Sequence, residues 1–251
     1  MIKPDLLLTW PRGYDYPLFR ELLVKNRHRF GAVIIFFTTQ ADEGQDYLQF
    51  ITDFLRNYDV NIIVGTLGYV GDWRNHAVNE SLKISTNPWV LFWEQDFLVL
   101  EQRFWDNLLA IEGQFEMACY IERDRKHPAC MLIKREVIEA TSKDFSANPP
   151  SYDHFGKLTA EVTDAVGERE TGLSGLGLVD GVDYRHMQGV TQNYHLVLIG
   201  TTIKYLFKGE EFIKYNYDSE LAEVPQDPNW IEVMKKVDLV HENAWYLKGR
   251  K

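Results

Sequence analysis

Two hydrophobic periods alternate along the first hundred residues. Four short runs are apolar at consecutive positions and rich in β-branched and aromatic side chains: DLLLTW (5–10), AVIIFFTT (32–39), VNIIVGT (60–66) and PWVLFWEQDFLVL (88–100). Such runs suit strands covered on both faces, as in a parallel sheet with helices above and below. Between them apolar residues recur every three or four positions. Leu18, Phe19, Leu22 and Leu23 mark a helix over 16–25, and Tyr47, Phe50, Ile51, Phe54 and Leu55 mark another over 46–58. A third runs to Ser85, with Asp72 as its N-cap and Ala77, Val78, Leu82 and Ile84 facing the sheet. Strand and helix in alternation imply right-handed crossovers and a doubly wound, mainly parallel, Rossmann-like α/β sheet.

The second half is less regular. Residues 118–124 and 129–133 read as strands around a turn near His127-Pro128, followed by a short helix over 134–142 and a longer one over 152–166. The stretch 167–181 holds five glycines and reads as a mobile loop. With 251 residues, 45% of them hydrophobic, and no Gly/Ser/Pro-rich linker, one domain is expected over 1–251.

Charge and cysteine usage narrow the function classes. A formal net charge of −10 disfavours a uniform basic face for duplex nucleic acid. The local clusters Lys25, Arg27, His28, Arg29 and Arg123, Arg125, Lys126 read as solvated edges. Cys119 and Cys130 are too few for a disulfide framework and read as buried thiols. The apolar run Leu6–Leu8 is far short of a signal or membrane segment, so a soluble, cytoplasmic protein without a membrane span is expected.

Ligands of open α/β sheets collect at the carboxyl ends of the strands. The polar residues expected there are Thr9, Trp10, Pro11 and Arg12, then Thr38 and Thr39, Thr66, and Glu94-Gln95-Asp96. Glu94 and Asp96, two residues apart at a strand end, point to one side. Acids ending an apolar run need a partner for their charge unless the strand emerges into solvent. A divalent cation bridging a diphosphate is one such partner, because Mg²⁺ and Mn²⁺ favour carboxylate and phosphate oxygens.

The order Asp72-Trp73-Arg74-Asn75-His76-Ala77, then a strand ending in Glu94-Gln95-Asp96, resembles GT-A glycosyltransferases, particularly the family 2-like group. The resemblance covers roughly residues 5–200. An Arg-Asn helix start precedes a DxD-type motif in that group, and here the motif is ExD. The resemblance implies a metal-dependent enzyme that moves a sugar from a nucleotide-diphosphate donor to an acceptor hydroxyl. Residues 1–117 would then form the nucleotide-sugar-binding half, 118–200 an acceptor and metal-completing half, and 201–251 a C-terminal extension.

By the same resemblance Asp96 ligates Mn²⁺ or Mg²⁺, while Glu94 and Gln95 contact the donor. Trp10 stacks on a base or packs on the sheet, with Thr9, Pro11, Arg12 and Thr39 around the nucleotide. Arg74, beside Asn75, holds the diphosphate or orients Asp96; alternatively it pairs with Asp72. Asp153, or its neighbour His154, would deprotonate the acceptor in an inverting reaction, unless Asp153 is only a helix N-cap. His186, or else His195, would complete the metal site. A glycan, a lipid-linked sugar, a protein hydroxyl or a hydroxymethylated pyrimidine in viral DNA all fit as acceptor. Two other readings are a non-catalytic carbohydrate- or nucleotide-binding protein and a sugar-1-phosphate nucleotidyltransferase. The latter should carry a Gly-rich first loop that TWPRGYDY lacks.

Overall fold

The computed structural model describes residues 1–11, 23, 25–39, 61–66, 70–94, 97–122, 125–145, 156–186, 194–199, 202–207 and 210–216. Arg12, Gln95, Asp96, Asp153, His154, the expected helix over 46–58 and most of that over 16–25 lie outside them.

The consecutive apolar runs do form strands. β1 (Asp5–Pro11), β2 (Val33–Thr39), β3 (Asn61–Thr66) and β4 (Trp89–Trp93) pair in parallel in the order β3-β2-β1-β4. β6 (Met117–Glu122), β7 (Arg125–Lys134) and β8 (Glu170–Gly172) extend the sheet as β4-β7-β6-β8. Within it only the β4–β7 and β7–β6 pairings are antiparallel. The expected mainly parallel α/β sheet is therefore present.

Alternating side chains of each strand cover opposite faces. On one face Leu7, Ile34, Val90, Phe92, Met117, Met131 and Ile133 form a core with three helices. α1 (Val70–Ile84) supplies Val78, α3 (Arg135–Glu139) supplies Val137 and Ile138, and α4 (Gly156–Val166) supplies Leu158, Val162 and Val166. On the other face Trp93 meets Phe30 and Trp105, the latter on α2 (Gln102–Leu108), with ring centroids 6.1 and 5.1 Å away. Trp93 is 1% exposed, so truncating it to Ala would cost about 3–5 kcal/mol.

Several expectations change. The run 88–100 is two strands: β5 (Phe97–Val99) leaves the main sheet after Glu94-Gln95-Asp96 and pairs antiparallel with β9 (Tyr184–His186). No turn forms at His127-Pro128. β7 runs through both, and its register against β6 shifts between Cys119 and Tyr120, which face Met131 and His127. A break in the ladder suits Pro128, which has no N–H to donate. The Gly-rich stretch holds β8, a 3₁₀ turn Leu173–Leu176 and buried Leu173 and Leu178, with Gly177 and Gly181 at φ +73° and +76°.

α1 begins at Val70, so Asp72 lies in its first turn instead of capping it, and Ile84 is exposed. A separate antiparallel ladder joins β10 (Tyr194–Ile199), β11 (Thr202–Phe207) and β12 (Glu210–Asn216). No helix among the described residues is long and apolar enough to cross a membrane.

Candidate functional site

Glu94 leaves β4 at the carboxyl edge of the parallel strands, and three hydrogen bonds fix the corner that it opens. Its N–H donates to Ala129 O (2.9 Å), extending the β4–β7 ladder by one residue. Its carbonyl accepts from Phe97 N–H (3.1 Å), tying the end of β4 to the start of β5. The buried indole of Trp93 donates through Nε1–H to Phe97 O (2.7 Å). The acid is half-buried at a corner whose backbone is held from both sides.

β9 brings His186 to this corner, opposite Phe97 in the β5–β9 ladder. Its approach is set by buried Asp183, whose carboxylate accepts two bonds from Arg103 (Nη2 to Oδ2, 2.6 Å) and one from Val179 N–H (2.7 Å). The Asp183 carbonyl accepts from Leu100 N–H (2.8 Å). Hydrogen bonding from Arg103 holds the Asp183 carboxyl below its ordinary pKa. Tyr184 stacks on Phe97 at 5.2 Å, and burial pushes its hydroxyl up to about 12, so it stays neutral.

His127 arrives on β7, beside β4. Its Nδ1 accepts the Ala129 N–H (3.1 Å), and its Nε2 lies 3.8 Å from Glu122 Oε2. Its ring centroid is 5.0 Å from that of His186, and Tyr120 sets an edge-on ring against both.

Glu94, His127 and His186 thus each present an atom able to ligate a metal, all within 4.8 Å of one another. Ligand atoms on one small divalent ion sit about 2.1 Å from it, hence roughly 4 Å or less apart. At most a small closing movement is needed, and a carboxylate with imidazole suits Mn²⁺ and its transition-metal neighbours. The donor set fits a divalent ion.

Of the residues singled out from sequence, the structure brings Glu94 and His186 together. Thr9, Trp10, Pro11 and Thr39 stand at the carboxyl ends of β1 and β2, in register with Phe36, Phe37, Thr38 and Thr66. Asp72 and Arg74 lie in the first turns of α1, which follows β3 onto the same edge. Asn75 ties α1 to a neighbouring segment: its Oδ1 accepts from Asn79 Nδ2 (3.0 Å) and Phe145 N–H (3.2 Å). His195 lies in β10, in the three-stranded ladder. His127 was not among the expected ligands; it became a candidate only through the antiparallel register of β7.

The fold and cluster together define an α/β-sheet protein with a candidate divalent-metal centre at the carboxyl edge of its parallel strands. No protein-family model matches the sequence, and no curated protein matches it. Among solved structures, the mannosyltransferase PcManGT of Pyrobaculum calidifontis, in complex with GDP-Man and Mn²⁺, aligns with 68% of this chain and 55% of its own. The identity is 14% and the TM-score 0.47. S. aureus TarS aligns over 73% and 60% at 17% identity, TM-score 0.48. Glucosyl-3-phosphoglycerate synthase of Mycobacterium tuberculosis, with Mn²⁺, UDP-glucose and glycerol 3-phosphate, aligns over 68% and 70% at 11% identity, TM-score 0.45. The chain spans little more than half the length of the first two. At such identities a shared outline leaves the chemistry to the side chains.

Proposed function

We propose that this chain is a metal-dependent glycosyltransferase that moves a sugar from a nucleotide-diphosphate sugar to an acceptor hydroxyl. The observation that carries the reading is the convergence of Glu94 with His186 and His127 where β4 leaves the parallel sheet. A divalent ion bound there, Mn²⁺ or Mg²⁺, would neutralise charge developing on a leaving diphosphate.

The protein's own groups divide the remaining work. Glu94 and His186 hold the ion, joined by Asp96. This makes Glu94 a ligand, in place of the donor contact implied by the resemblance. Trp10 offers a face for the nucleotide base, with Thr9, Pro11 and Thr39 beside it. Arg12 and Arg74 meet the phosphates, Arg74 from a helix start whose N–H groups favour anions. Asp153 accepts the acceptor proton, so that one in-line displacement inverts the anomeric centre.

A panel of nucleotide sugars tests the reading. The expected result is donor hydrolysis or transfer that requires Mn²⁺ or Mg²⁺ and disappears in Asp96→Ala. Metal-independent turnover, or full turnover by Asp96→Ala, contradicts it. The anomeric configuration of the product tests Asp153 separately, since a retained configuration removes its role as base.

A further inference from the structure

Two asparagines about one turn apart on α1 grip one short segment between α3 and α4. Asn75 Oδ1 accepts the Phe145 N–H (3.2 Å), and Asn79 Nδ2 donates to Lys143 O (3.1 Å). The two amides also join each other, Asn79 Nδ2 to Asn75 Oδ1 (3.0 Å). Their orientation follows from their partners. A backbone N–H only donates, so Asn75 turns its oxygen to Phe145; Asn79 meets the carbonyls of Lys143 and Asn75, so it turns its NH₂ to them. The gripped segment has an uncommon backbone shape. Lys143 has φ +57°, in the left-handed region that a residue with a Cβ rarely adopts. Such a conformation persists where its surroundings over-determine it. Glu161 on α4 receives both the N–H and the hydroxyl of Ser142 (2.6 and 2.8 Å), and Lys157 donates to Asp144 (2.7 Å). The Phe145 ring is fully buried and meets Phe92 of β4, with ring centroids 6.2 Å apart.

Phe145 thus joins α1 through its N–H and β4 through its ring, two positions before Glu94. We propose that Asn75 is a positioning residue: through Phe145 it fixes the start of α1 relative to the end of β4, and Asn79 shares that task. This rests on the glycosyltransferase reading above, in which the α1 start meets the diphosphate. A phosphate held between a helix start and a strand end needs the two at a fixed separation, and a misplacement of about 1 Å can cost up to about 100-fold.

Calorimetric titration of the full chain with Mn²⁺–pyrophosphate, alongside urea denaturation of each variant, separates positioning from contact. Alanine is a stronger helix former than asparagine, so Asn75→Ala and Asn79→Ala leave α1 itself intact. Each should weaken pyrophosphate binding by about fivefold to tenfold. Asn75→Asp keeps an oxygen for Phe145 and Asn79, and should bind more tightly than either alanine variant although it adds a negative charge. If Asn75 instead donated its own N–H to the phosphate, Asn75→Asp would be the weakest of the three. Asn79→Ala, about 6 Å farther along the helix, would then bind as the wild type does. Either result overturns the proposal, and should Asn75→Ala fail to fold, the other two variants carry the test. Lower stability with full pyrophosphate affinity in both alanine variants would leave the asparagines a structural contact alone and would also overturn it. A wild-type chain that binds no Mn²⁺–pyrophosphate overturns the glycosyltransferase reading and this proposal with it.

Discussion

Asp5 and Glu94 stand at opposite ends of one pair of parallel strands, and their surroundings differ in kind. Asp5 opens β1 and is 4% exposed. Its Oδ1 accepts from Ala32 N–H (2.7 Å), and its Oδ2 from Ser85 Oγ (2.7 Å), Thr86 N–H (3.3 Å) and Asn87 N–H (3.3 Å). A Cβ on Gly31 would collide with Oδ1, so the chain passes it as glycine. Glu94 follows β4 at the other edge, half-buried, with ligating atoms of two imidazoles within 4.8 Å of one of its oxygens. Backbone amides and a serine hydroxyl keep their hydrogens at any ordinary pH; imidazoles exchange protons and ligands. A carboxylate ringed by fixed donors ties strands together, whereas one grouped with two imidazoles offers a set of atoms that can ligate one ion.

The sharpest way to break this contrast is to remove each acid and ask what is lost. Asp5→Ala orphans three backbone N–H groups and should lower the free energy of unfolding by roughly 3 kcal/mol or more, read by urea denaturation. The folded fraction should bind Mn²⁺ as the wild type does. Glu94→Ala should behave oppositely: Mn²⁺ affinity falls by about 100-fold, or roughly 2.7 kcal/mol, while unfolding free energy moves by about 0.5 kcal/mol or less. If Glu94→Ala instead unfolds the chain, the two acids play the same part.

A smaller effect concerns Asp183, the acid that sets His186 in place. Arg103 lowers its pKa in the folded chain, so the unfolded chain binds its proton more readily. Its contribution is complete above the unfolded value, about pH 4, and is lost as pH falls through the lowered folded value. Thermal melting should therefore be nearly flat from pH 7 to about pH 5 on this account and drop below it. Asp183→Asn should make that acid limb shallower. An unchanged limb would show that the Arg103 contact contributes nothing to stability.

What the sequence revealed depended on how local each signal was. The strands of the parallel half were legible because Val33–Thr39 and Trp89–Trp93 carry their burial in consecutive apolar residues. Glu94 drew notice because acids ending such a run require an explanation. Asp5 drew no notice: its partners Ser85, Thr86 and Asn87 lie about eighty positions away, and nothing at residue 5 announces them. His127 was read as part of a turn for a similar reason. Its place depends on Trp93 facing Cys130 and on the slip between β6 and β7, two registers that no single stretch of chain encodes. His186 was named by resemblance, and its ladder with Phe97 is what brings it beside Glu94.

The most direct test is a crystal of the full chain grown with Mn²⁺ and measured for anomalous scattering. The account predicts a peak bounded by Glu94, His186 and Asp96, within about 2.3 Å of an oxygen or nitrogen from each. A peak bound elsewhere, or none at this corner at saturating Mn²⁺, would contradict it.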